Sequence, residues 1–317
     1  MASNVVVVVS SSSSCVSLSQ LRALNLHSPL PWLPWCGDNF SKKVIEWNIK
    51  EDCCSWDGVS CDPATGYVTG LNLSFSMLSA QIFPIFNLHH LQTLNLACND
   101  FNSAPFPSGF ENLRNLIHLN LSYTIFSGQI PAGISMLTRL VSLDLTSMSS
   151  LELRKPNLES FFMNLTCLKE VYLDGVDLSA QGSNWSQVLS SALPHLQVLS
   201  LSYCQLNGPI HNSFATLKSL SYLQLSTNIL SDEFPQNVFL LPKLKTIDIS
   251  NNYLLSGQFP EFPKHTPLQT ISLYNTKFHG ELPQSIGNLQ SLKILDIYRC
   301  NFSGLIPSSL ANLTKYY

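Results

Sequence analysis

The chain has 317 residues, 12% of them charged, with a formal net charge of −3. That charged fraction is about half the ~25% of an ordinary soluble domain, and with no basic stripe it excludes a nucleic-acid backbone as partner. No apolar run reaches the ~18 residues that would span a bilayer.

Residues 1–35 carry no periodic pattern. Val5 to Val9 followed by Ser10 to Ser14 lacks the basic start and the longer apolar stretch of a secretory signal, so this region reads as irregular or as a degenerate signal, with a functional one expected upstream. Residues 36–67 read as an N-terminal cap. Ser41 to Trp47 suits a short amphipathic helix with Val44 and Trp47 on one face. Cys53, Cys54 and Cys61 follow in Asp-Cys-Cys-Ser-Trp-Asp-Gly-Val-Ser-Cys. Nine cysteines without a Cys-x-x-Cys pair point away from zinc and toward disulfides in an oxidising compartment. A Cys54–Cys61 bridge closes a small loop, leaving Cys53 to pair with Cys36 or Cys15.

From residue 68 the chain repeats. Leu-x-x-Leu-x-Leu begins at Leu196, Leu220, Leu244, Leu268 and Leu292, and looser copies begin at Val68, Leu91, Leu116, Leu140 and Leu168. This is the pattern of a leucine-rich repeat. The expected fold is α/β: a right-handed, curved leucine-rich-repeat solenoid with a parallel strand ladder on the concave face and short 3₁₀ or α turns on the convex face. Its ten strands, stacked at ~4.8 Å, give a ladder about 50 Å long. The outward turns are marked by apolar pairs such as Ile134 and Leu137, Phe214 and Leu217, Ile286 and Leu289. Each Gly-x-Ile/Leu/Phe-Pro, as at Gly128–Pro131 and Gly280–Pro283, places proline at an edge or turn. Three residues past the third leucine sits a small polar position: Asn99, Thr124, Cys204, Asn228, Asn252, Thr276 and Cys300. A buried side chain there can satisfy backbone groups, so Cys204 and Cys300 are expected in the ladder rather than in disulfides. The intervals from Leu140 to Leu168 and from Leu168 to Leu196 are both 28 residues instead of 24, and the extra residues are expected as longer outer loops. Residues 68–317 thus read as ten repeats, truncated without a C-terminal cap.

Trp47, the Asp52–Cys61 block and 24-residue repeats carrying Gly-x-Ile-Pro resemble the extracellular part of plant leucine-rich-repeat receptors. Ser41-Lys42-Lys43, the long repeats from Lys155-Pro-Asn-Leu through Tyr172-Leu-Asp-Gly-Val, and Leu199-Ser-Leu-Ser-Tyr-Cys-Gln-Leu-Asn-Gly-Pro-Ile are similar to receptor-like proteins of the Verticillium wilt resistance type. The resemblance implies the N-terminal part of a cell-surface immune receptor without a kinase. Such a receptor binds a protein or peptide ligand and acts through partner receptor kinases, with its membrane anchor in a segment absent from this chain. The plasma membrane's outer face, or otherwise the apoplast, is the implied location. The start departs from the family, where one cysteine precedes the cap helix. A soluble inhibitor of microbial polygalacturonase is the alternative, weakened by the missing cysteine-closed end and the two long repeats. A truncated product without function of its own is the third reading.

An open ladder favours recognition over catalysis. No phosphate loop, nucleophile elbow or His-Glu-x-x-His is present, and Asp144, Glu170, Asp174 and Asp248 are expected on a wet face that leaves their acidity ordinary. The reading is therefore no enzyme and no cofactor. Tyrosine is a frequent interface anchor, so Tyr172, Asp174, Tyr222, Tyr274, Tyr298 and Arg299 are the ligand-binding candidates, all taken as exposed. Asn39, Asn72, Asn120, Asn164, Asn184, Asn301 and Asn312 head glycosylation sequons, two of them supplied by the Leu-Asn-Leu-Ser of the repeat itself.

Overall fold

The computed structural model describes residues 36, 43–48, 50–78 and 82–316. Because side chains alternate along an extended strand, each Leu-x-x-Leu-x-Leu turns its apolar residues one way. Leu196, Leu199 and Leu201 are fully buried, as are Leu220, Leu223 and Leu225 in the next copy. Parallel pairing then stacks equivalent residues, Leu199 against Leu223 and Leu223 against Ile247. The result is an eleven-stranded sheet running from Val59–Cys61 to Ile294–Asp296. Ten of its strands are the expected ladder. The eleventh, Val59–Cys61, belongs to the cap and pairs antiparallel with Val68–Asn72.

Opposite the ladder lie the short helices. Ala132–Met136, Asn212–Thr216 and Gln284–Asn288 are 3₁₀ helices, and their marker pairs Ile134/Leu137, Phe214/Leu217 and Ile286/Leu289 are fully buried. The two long repeats depart from expectation. Their extra residues form α-helices, Leu158–Phe162 and Trp185–Ala192, and not longer loops. Phe161, Phe162, Trp185 and Leu189 bury there, which converts the insertion into core. A second, unexpected sheet follows the glycine-proline segments, with parallel strands Asn207–Gly208, Ile229–Glu233, Leu254–Gly257, Lys277–Glu281 and Asn301–Ser303. The prolines fall just past these strands, where a missing N–H costs no ladder bond.

The small polar position does what its burial requires. Asn228 Nδ2 donates to Leu201 O at 2.8 Å and to Leu225 O at 3.0 Å, while its Oδ1 accepts from Cys204 N and Leu206 N, both at 3.0 Å. Asn99 and Asn252 repeat the arrangement. Cys204 and Cys300 are free thiols in the same column, each with Sγ 3.1 Å from a ladder carbonyl. Burial holds the Cys204 thiol well above its ordinary pKa.

At the cap, helix Lys43–Glu46 places Val44 and then Trp47 in the core. Trp47 stacks on Trp56 at 4.9 Å, and their indole N–H groups donate to Asp57 O and Asn48 O. Cys54 and Cys61 form the expected bridge. Cys36 pairs with Cys98 of the second repeat, so it is not the partner of Cys53. Cys53 is also disulfide-bonded, and the remaining alternative for its partner, Cys15, lies outside the described residues.

Two outcomes are expected. Asn228→Ala leaves two buried N–H groups and a carbonyl unpaired and lowers stability by about 3 kcal/mol or more, read from urea or thermal unfolding. Taken singly, the 62-residue closure by Cys36–Cys98 and the 7-residue closure by Cys54–Cys61 give loop-entropy contributions of roughly 4 and 2.5 kcal/mol. Cys98→Ser therefore lowers the melting temperature more than Cys54→Ser.

Candidate ligand-binding face

The outward side chains of the ladder strands form the inner face. In the column between second and third leucine, Asn72, Asn95, Asn120, Asp144, Asp248 and Asp296 all use a side-chain oxygen the same way. Each accepts from the backbone N–H two residues on, at 2.9–3.2 Å. This local bond holds an amide or carboxylate at a fixed height on six of the ten ladder strands. The next column is mostly not an exposed surface: Ser122, Ser202, Ser226 and Ser250 are buried, small enough to be covered by their neighbours. Asp174 and Tyr274 stand half-buried in that column, and Tyr298 is 66% exposed.

The structure places the candidates in two groups. Tyr172, Asp174 and Tyr222 lie in the middle of the ladder. Tyr172 and Tyr222 are half-buried and not fully exposed as expected, because adjacent strands crowd them. Burial, and then the carboxylates around them, hold both phenols above their ordinary pKa. Tyr222 OH donates to Gln224 Oε1. Asp174 accepts from Ser200 Oγ at 2.7 and 2.8 Å and from Ser202 N at 2.6 Å. The second group is Tyr274, Tyr298 and Arg299. The two rings stack at 5.9 Å, and the Arg299 guanidinium sits 6.0 Å and 5.6 Å from their centroids. Arg299 also donates to Tyr274 OH at 3.3 Å.

The face is less uniformly wet than its sequence suggests. Burial raises the Asp144 pKa above its ordinary value of 3.8, against the lowering effect of the Thr146 hydrogen bonds. Two concavities open on this side. One, of about 480 Å³, runs along the first strands from Asn72 to Tyr172. The other, of about 610 Å³, lies where the chain leaves the strands, and Tyr123, Met148, Asp174, Tyr203 and Gln224 line it. Tyr123, Met148 and Tyr203 were not candidates in the sequence. They follow the third leucine by two or three residues, in the turn, and no periodicity marks them as facing the inner side.

Of the sequons, Asn72 and Asn120 end ladder strands. Asn164, Asn184, Asn301 and Asn312 are exposed away from that face, and Asn39 lies outside the described residues. Asp52, Cys53 and Cys54 bring donor atoms within 4.8 Å of one another, but both cysteines are spent in disulfides and offer no thiolate to a metal. Among the described residues no helix is long and apolar enough to cross a membrane.

Six stretches, 90–113, 115–137, 195–217, 243–265, 267–289 and 291–313, match the Leucine Rich Repeat family. Receptor-like protein 6 of Arabidopsis thaliana is 39% identical over 80% of this chain, and the chain spans 24% of that protein's length. The receptor-like protein Cf-9 homolog of Solanum lycopersicum is 33% identical over 79% of the chain and 27% of its own length. Among solved structures, PEPR1 with AtPEP1 covers 95% of the chain and 44% of that structure's chain, at 29% identity and a TM-score of 0.70. The Arabidopsis receptor kinase HAESA ectodomain, in complex with an N-terminally extended IDA peptide hormone ligand, covers 81% of the chain and 50% of its own at 26% identity and a TM-score of 0.58.

One pH dependence follows from the face. The folded chain holds the Asp144 proton more tightly than the unfolded chain, so this group favours the native state increasingly as pH falls from neutrality toward 3.8. An asparagine keeps the bond to Thr146 N, as Asn120 does to Ser122 N, without a charge to bury. Asp144→Asn is therefore expected to melt at or above wild type near pH 7 and to lose that advantage by about pH 4, measured as melting temperature against pH. The repeat ladder, the matched repeats and these relatives together place the chain among the leucine-rich-repeat receptor-like proteins of plants.

Proposed function

We propose that the chain is the ligand-recognition part of a plant cell-surface immune receptor. It binds an extended peptide, host- or pathogen-derived, along the inner face and signals through partner receptor kinases. The observation that carries this reading is the inner face itself. Tyrosines and carboxylates converge there beside two concavities, and the ion pairs among the described residues, Arg154 with Glu152 and Asp177, leave its carboxylates uncompensated. Aromatic anchors with a few positioned polar groups in a preformed hollow are the ordinary equipment of a binding site. Solved relatives hold peptide hormones, and one HAESA complex includes the co-receptor SERK1, which supports the same division of labour here. The similarity to Verticillium wilt resistance proteins supplies the defence role and the plasma-membrane location. Asn164, Asn184, Asn301 and Asn312 are proposed to carry glycans that leave the inner face free.

Capture tests the proposal. The immobilised, secreted protein is exposed to peptide fractions of apoplastic fluid from infected and uninfected leaves, and retained peptides are resynthesised for calorimetry. The expected result is a peptide retained at micromolar affinity or better and weakened at least tenfold, about 1.4 kcal/mol, by Tyr172→Ala or Tyr222→Ala. Retention of nothing, or equal retention by both variants, removes the proposal.

A further inference from the structure

Nine of the ten repeats share one backbone feature. The residue two past the third leucine is left-handed: Phe75, Cys98, Tyr123, Gly175, Tyr203, Thr227, Asn251, Asn275 and Arg299, with φ from 55° to 78°. It is where each chain segment leaves the ladder and turns away. Glycine and asparagine suit that conformation, while a tyrosine there carries a cost of order 1 kcal/mol. Such strain persists where the surroundings hold it, and it clusters at functional sites.

Tyr123 and Tyr203 occupy this strained position, and both line the 610 Å³ cavity. Between them in sequence, Gly175 occupies the same position and also lines it. A Cβ at Gly175 would meet Ser147 O at 2.0 Å, so the floor can be made only by glycine. Met148 and Tyr203 are 65% and 66% exposed, large apolar side chains held at the rim instead of in the core. Asp174 lies between these walls, oriented by three hydrogen bonds that leave capacity for a further donor. No lysine, arginine or histidine lines the cavity, and neither Asp144 nor Asp174 has an ion-pair partner among the described residues. The negative field there is felt by the Tyr123 phenol, raised by burial and then by Asp144 and Asp174.

Resting on the peptide-receptor reading above, we infer that this cavity seats a basic side chain of the ligand, an arginine in preference to a lysine. Aromatic faces attract a cation through their quadrupole. Methionine's flexible thioether adapts to an aliphatic stem. The fixed carboxylate of Asp174 takes the charge, and a planar guanidinium can meet it with two N–H groups while lying on a ring. A carboxylate or phosphate ligand would meet the same field as repulsion.

The test uses the whole protein and three small probes: Nα-acetyl-arginine methylamide, its lysine counterpart, and its citrulline counterpart, which keeps the shape and removes the charge. Saturable binding is followed by NMR titration. The expected order is arginine, then lysine, with citrulline at least tenfold weaker than arginine. Tyr203→Asn replaces the strained ring by a residue that suits the turn. It is expected to leave the melting temperature unchanged or raised while weakening the arginine probe at least fivefold. Asp174→Asn is expected to abolish the preference for arginine over citrulline, and Tyr203→Asn keeps the test open if that variant fails to fold. Equal binding of arginine and citrulline, no saturable binding of arginine, or undiminished binding by folded Tyr203→Asn overturns the assignment. A protein that captures a leaf peptide yet shows no arginine preference keeps its receptor role and loses this pocket. One that prefers arginine but captures no peptide keeps the pocket and loses the receptor role.

Discussion

No repeat in this chain can satisfy its own backbone. Leu201 N donates to Gln224 O, Leu225 N to Asp248 O and Leu273 N to Asp296 O, each one repeat onward, and Asn228 bonds groups of two successive repeats. A buried backbone group without a partner is costly, so each repeat is stable only against a neighbour in register. That constraint makes the strands parallel, fixes their spacing and stacks equivalent residues into columns. It also explains why the sequence must repeat so strictly at the inward positions and can vary so freely elsewhere.

The cap answers the same constraint at one end. Val59–Cys61 turns back antiparallel and pairs with the first ladder strand, while Trp47 and Trp56 cover the leucines beneath. Cys98 then ties Cys36 to the second repeat. Farther along, aromatic rings carry the packing between outer turns, as with Phe101 on Phe126 at 4.3 Å and Phe259 on Phe302 at 5.3 Å. Where a repeat is four residues longer, a helix replaces a 3₁₀ turn and buries Trp185 against Phe214 at 5.8 Å.

What was legible in the sequence follows from this. Inward positions recur with a fixed period, so the ladder, the 3₁₀ turns with Ile134 or Phe214, the buried asparagines and the Cys54–Cys61 bridge could all be read from spacing. Cys36–Cys98 could not, because it joins a non-repeating segment to a turn position that carries no pattern. The second sheet was hidden for a related reason, since its strands, such as Asn207–Gly208 and Ile229–Glu233, carry no residue pattern that recurs from repeat to repeat as the ladder leucines do. At the site, Asp174 and the inner tyrosines were visible as outward residues of strands. Tyr123, Met148 and Tyr203 sit in the turn, past the strand's alternation, and for Tyr123 and Tyr203 it is the left-handed backbone that sets which way they stand. Asp144 was misjudged as wet because its burial comes from adjacent strands, which a single repeat does not reveal.

The left-handed turn also separates two kinds of change. Its occupants in this chain are phenylalanine, cysteine, tyrosine, glycine, threonine, asparagine and arginine, a range no leucine position tolerates. Neither the Tyr203 nor the Arg299 side chain is in the core, so replacing either alters what the rim presents without loosening the ladder behind it. At such turns, Cys98 with its disulfide and Gly175 with its close backbone contact excepted, a lineage can revise ligand chemistry one repeat at a time, and the same freedom makes this row of positions the natural place to redesign specificity while keeping the scaffold.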